Sequence, residues 1–196
     1  MENSQMQLQH VNVKLLVRNP EEVDLEPLIP VFHDWIHNQV EEGLLLDVAD
    51  YRHVEAGPGV VLIGHEANYS VDNTDRRLGV RYNRKAALDG SNQDRLKQAT
   101  RAALTACQRL EAESRLGGKL RFNGQEMEMF VNDRLLAPNS EATRQALQSD
   151  FETFFQHLFP GGNFSASYGS DPRKLFSVLV KTTEPFRLVD LLENLG

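Results

Sequence analysis

Asp47, Asp50, Tyr51, Arg52, His53, His65 and Glu66 crowd a stretch in which an ordinary half-buried strand carries Thr, Val or Ser. An imidazole needs one acceptor to fix its tautomer, so Asp47 or Tyr51 beside His65 would suit a general base. Apolar runs flank Glu55-Ala-Gly-Pro-Gly59, which predicts a hairpin from Leu44 to Val71. If that hairpin is symmetric, Ala49 lies across from His65 and Asp47, Tyr51, His53 and His65 share a face. Asp50, Arg52 and Glu66 take the other face. The two imidazoles would stand roughly 13 Å apart at about 3.3 Å per residue, too far for one metal ion. No nucleophile completes the set. A cross-strand polar network or a dimer-edge contact is therefore the first reading. A binding site for a small polar ligand at Asp47, Tyr51, His53 and His65, assisted by Arg81 if its strand is adjacent, is the alternative.

The remaining candidates are weaker. His33 and His37 stand one helical turn apart, which suits metal ligation, but no third ligand accompanies them and both fall outside the apolar stripe. They read as solvated side chains. Arg76, Arg77, Arg81, Arg84 and Lys85 concentrate positive charge, yet alternation sends Arg77, Arg81 and Lys85 to one side of a strand and Leu78, Val80 and Tyr82 to the other. This pattern describes a solvated face pairing with surplus acids. No glycine-rich phosphate loop is present. Cys107 shares a helical face with Ala103 and Leu110 and reads as a core residue. No cofactor and no metal is implied.

These side chains need elements to hold them. Val11, Val13, Leu15 and Val17 alternate with Asn12, Lys14, Leu16 and Arg18, the period of a strand ended by Asn19-Pro20. Leu28, Ile29, Phe32, Trp35, Ile36 and Val40 predict a helix over 26–41; Pro27 and Pro30 are tolerated in its first turn, whose amides have no intrahelical partner. The hairpin and a strand at Leu78, Val80 and Tyr82 follow, completing a meander of three strands. Ser91 with Asp94 caps a helix running to about Arg115. Leu120 to Phe122 and Met127 to Asn132 predict a hairpin turning at Asn123-Gly124. Ser140 caps a helix with Leu147, Phe151, Phe154, Phe155 and Leu158 on its core stripe; Phe155 and Phe159 would widen that wall into an exposed patch suited to homodimerisation. Strands at Phe164 to Tyr168 and Leu175 to Lys181 precede a last helix.

The order strand, helix, hairpin, helix occurs twice, as an internal duplication of a β-α-β-β-α unit would leave it, with halves 1–116 and 117–196 packed as one globular unit. Val17-Arg18-Asn19 would match Val131-Asn132-Asp133, and 47–63 would match 164–180. Two sheets would then pack as a pseudo-symmetric pair. The expected class is α+β, with antiparallel or mixed sheets and helices on one face. Apolar residues make up 40% and charged residues 25%, which suffices for a core. A net charge of -7, from 21 Lys plus Arg against 28 Asp plus Glu, argues against a nucleic-acid or anionic-membrane binder. One cysteine permits no intramolecular disulfide. The N-terminus lacks secretory-signal features and no stretch approaches a membrane span, so the expectation is a cytoplasmic protein. The leading functional expectation is a non-enzymatic binding or assembly module acting as a homodimer or on a protein partner; the alternative is a small-molecule enzyme or ligand-binding domain using the hairpin's polar residues.

Overall fold

Strand β1 (Val11–Val17) is buried along its whole length, and its position in the sheet explains why. In the computed structural model, which describes residues 6–41 and 43–196, eight strands form one antiparallel sheet in which β1 is an interior strand. Residues 1–5 of the polar N-terminal segment lie outside the described residues. The elements run β1, α1 (Leu28–Asn38), β2 (Leu45–Tyr51), β3 (Gly59–Gly64), β4 (Ala67–Asp72), β5 (Gly79–Arg84), α2 (Asn92–Ala112), β6 (Phe122–Val131), α3 (Glu141–Leu158), β7 (Phe164–Tyr168), β8 (Phe176–Thr182) and α4 (Leu188–Asn194). Across the sheet the order is β2-β3-β4-β5-β1-β6-β8-β7. The fold is α+β, with four helices packed against an antiparallel sheet.

Val13 faces Tyr82 of β5 and Met129 of β6, and the same row continues to Tyr69 and Leu62 on one side and Val178 on the other. These side chains join Phe32, Leu96, Ala103, Cys107, Leu147, Phe151 and Leu191 in one core beneath the helices. Helix α2 begins with the expected reciprocal cap, Ser91 accepting from the Asp94 amide and Asp94 from the Ser91 amide. Helix α3 begins at Ser140 in the same way on one side only, through the Thr143 amide. Cys107 is fully buried and its thiol is pushed well above its usual pKa by burial.

Four expectations change. The apolar run 60–71 is two strands, not one, because the chain reverses at His65-Glu66. Gly64 sits where a Cβ would lie 2.5 Å from the Ala67 carbonyl, so only glycine allows so tight a reversal. Ala49 therefore faces Val61, not His65, and the meander has four strands, β2 to β5. Second, Asn123-Gly124 does not turn a hairpin: it lies inside the long strand β6, in a bulge where Leu15 pairs with Met127 but Val17 with Phe122. A Cβ on Gly124 would stand 1.7 Å from the Phe186 carbonyl, so glycine serves close approach here. Third, Phe155 and Phe159 are 0% and 2% exposed, packed against Phe164, and Phe159 also against Phe186, so they offer no surface patch. Fourth, the chain builds a single sheet, and the two halves meet where β1 pairs with β6.

Candidate functional site

With the helices on one face, the sheet leaves its other face bare of helices, and its outer strands, β2 and β7, each have one lateral edge without a strand neighbour. The polar residues singled out in the sequence lie along this part of the molecule, but they do not converge. Asp47 and Tyr51 share a side of β2 with Ala49, opposite Ile63, Gly59 and Val61. His53 lies just past the end of the strand, its ring 6.5 Å from that of Tyr51. His65 is exposed in the turn at the other end of the hairpin, where its backbone N–H donates to the Leu44 carbonyl at 2.7 Å. A seven-residue strand separates the two histidines by about 20 Å. Arg81 points to the same side of the sheet but three strands away, about 14 Å at 4.8 Å per strand. Only Tyr51 and His53 are brought together. His33 and His37 are both exposed on α1, and among the described residues no three His, Cys, Asp or Glu side chains cluster.

What β2 does carry is apolar surface. Leu44, Leu46, Tyr51 and Val54 are 56%, 50%, 43% and 43% exposed, and among the described residues the other large apolar side chains so exposed are Leu135, Leu136 and Val189. Four of the seven exposed large apolar side chains among the described residues thus fall within eleven residues along one sheet edge, while Leu135, at 91%, is the most exposed and lies elsewhere. The strand has no proline and no lysine, two common means of blunting an edge. Its acids are spent locally. Asp47 Oδ1 accepts from the Val48 amide at 2.8 Å, and Asp50 accepts from the Arg52 amide and guanidinium. The Arg52 guanidinium and amide hold the Asp50 carboxyl at a pKa of about 2. Gln39, just past α1, clasps the Leu45 peptide from both sides through its amide. The opposite edge, β7, is five residues long and sets Ser165 and Ser167 outward.

The centre of the same helix-free face is built in the opposite sense. Asn12 and Lys14 point away from the helices, yet they are 0% and 2% exposed. Their cover comes from β5 and β6. The Arg81 guanidinium stacks 4.7 Å from the centre of the Phe130 ring, across β1, and Arg77 reaches over to Glu126 and Glu128. Beneath them Lys14 Nζ pairs with Asp72 Oδ1 at 2.5 Å, and Asp72 also accepts from the amide and hydroxyl of Thr74. Lys181 joins Glu126. Burial lowers the Lys14 pKa, opposed by Asp72 and Glu128 and reinforced by Arg81. Both amide atoms of Asn12, Arg81 Nε and Asn83 Oδ1 are buried without a hydrogen bond to any described residue. Asn12 and Asn83 are direct cross-strand neighbours, as are Lys14 and Arg81.

This polar centre was not legible from the sequence, where Asn12 and Lys14 look like the wet side of a half-buried strand. A faint signal exists: the Glu126-Met-Glu128-Met alternation offers a stripe of acids matching the arginines at 77 and 81. Neither stripe reveals that β1 will lie between them. Compared with known proteins, the chain matches no family model and no curated protein sequence. No helix among the described residues is long and apolar enough to cross a membrane.

Proposed function

We propose that this chain is a non-enzymatic binding and assembly module that works as a homodimer, joined edge to edge through β2. The observation that carries the proposal is the exposure of Leu46 and Tyr51 on an outer strand, with Leu44 and Val54 just beyond its two ends. An exposed apolar edge is a template for another strand, and burying it removes those side chains from water together with the strand's outward amides and carbonyls.

Charge and symmetry narrow the register, and an axis at Ala49 is one of those they allow. Two copies of β2 related by a twofold axis perpendicular to the sheet pair residues of the same parity. An axis at Asp47 or Asp50 would set like charges directly opposite one another, which is unfavourable. An axis at Ala49 sets Asp47 against Tyr51 of the second copy and Val48 against Asp50. The Val48 amide then exchanges its local bond to Asp47 for a ladder bond. Interfaces of this size bury about 1,000 Å² in total, so dissociation in the micromolar range is expected. Native mass spectrometry of the purified chain tests the proposal: a dimer in the wild type and a monomer in Leu46→Lys is the expected result, and equal masses for the two proteins would refute it.

A further inference from the structure

Away from the sheet edge, a cleft of about 420 Å³ opens between the C-terminal end of α1 and the outer side of α2, a volume in the range of small-molecule sites. Its wall from α2 is regular. Lys97, Arg101, Thr105 and Arg109 follow at four-residue intervals and therefore stack along one face of the helix, and all four line the cleft. Apolar surface comes from Val40 and Ala102, with the nearly fully buried Tyr69 at the floor. Gln98, also at the wall, exchanges hydrogen bonds with the Tyr82 hydroxyl.

The charges around this cleft do not cancel locally. Glu41 is engaged by Arg109 at 3.0 Å. Asp94 is committed to capping α2, accepting from the amide and hydroxyl of Ser91. Lys97 makes no hydrogen bond or ion pair with a described residue, although Asp94 is close enough to feel its charge. Arg101 donates one Nη2 bond to the Gly196 carbonyl at 2.6 Å and keeps further donors, since a guanidinium carries five. An oxygen acceptor therefore already sits beside this stripe, and the Lys97 ammonium stands next to the same Gly196, 3.5 Å from where a Cβ on it would be, without a hydrogen bond to a described residue. An apolar wall with surplus positive charge at one end is complementary to an apolar body bearing one acidic group.

We infer that this cleft binds an organic anion, its acidic group at the Lys97 ammonium and the remaining N–H donors of Arg101, beside Gly196, and its body against Val40 and Ala102. The site is independent of the β2 edge. Titration with the fluorescent anion 8-anilinonaphthalene-1-sulfonate at fixed ionic strength tests it with wild type, Lys97→Glu, Ala102→Trp and Leu46→Lys. One saturable site per chain is expected, weakened by about tenfold or more in Lys97→Glu through loss of the charge-assisted contact. Ala102→Trp fills the cleft and is expected to abolish binding, while Leu46→Lys leaves it unchanged. Matching urea unfolding midpoints show that the variants are folded. Absence of saturable binding, wild-type affinity in either cleft variant, or loss of binding in Leu46→Lys would each overturn the inference.

Discussion

The edge and the centre of one sheet face solve opposite problems. At β2, apolar side chains are left in water and the acids bond to their own backbone neighbours; at β1, an amide and an ammonium are taken out of water and roofed by arginines from the adjoining strands. A strand with two neighbours can be covered on its helix-free face by long side chains reaching across from both sides. An outer strand has one neighbour and cannot. The contrast teaches that burial on this face follows position in the sheet rather than residue polarity.

Lys14 gives the contrast its sharpest test. Lys14→Met leaves the buried Asp72 carboxylate with only the more distant Arg81 guanidinium, at 3.9 Å, as a cation and is expected to cost about 3 kcal/mol in urea unfolding. Adding Asp72→Leu should restore most of that loss, because an apolar pair of similar volume tolerates the site. A double variant no better than the single would mean that Lys14 and Asp72 are not coupled. Arg77→Ala leaves Glu126 with Lys181 and Glu128 with the charge of Lys14 beneath it, and about 1–2 kcal/mol should be lost in urea unfolding. The sign at high pH is also fixed. Because burial lowers the Lys14 pKa below 10.5, the unfolded chain binds more protons in the window between the lowered value and 10.5, so this group's contribution to stability rises with pH there.

Asn12→Leu should be neutral or stabilising by about 1 kcal/mol, since both amide atoms it removes lack partners. A loss above that size would show the amide to be satisfied in solution. The smallest effect on folding belongs to the edge: Leu46→Lys is expected to change monomer stability by less than about 0.5 kcal/mol while altering association, the reverse of the behaviour at Lys14.

Local chemistry made most elements readable. Ser91 with Asp94 announces α2, Ser140 announces α3, and the stripe from Leu147 to Leu158 is buried as its spacing requires. The candidate site was not readable, because it depended on register. His65-Glu66 carries no strong turn residue of its own, so the reversal after Gly64 was hidden and His65 was set on a strand opposite Ala49. Asn123-Gly124 misled in the other direction: glycine also serves close approach, and the carbonyl that demands it belongs to Phe186, 62 residues on. Strand adjacency is nonlocal in the same way, since β1 finds its neighbours in β5 and β6.

Homodimerisation through β2 is tested most directly by Ala49→Cys, because Ala49 would stand on the twofold axis beside its own copy and Cys107 is buried away from reagents. Under mild oxidation, the account predicts a disulfide-linked dimer on non-reducing gels, lost when Leu46→Lys is added to the same chain. A chain that stays monomeric, or one that cross-links equally with Leu46→Lys present, would contradict it.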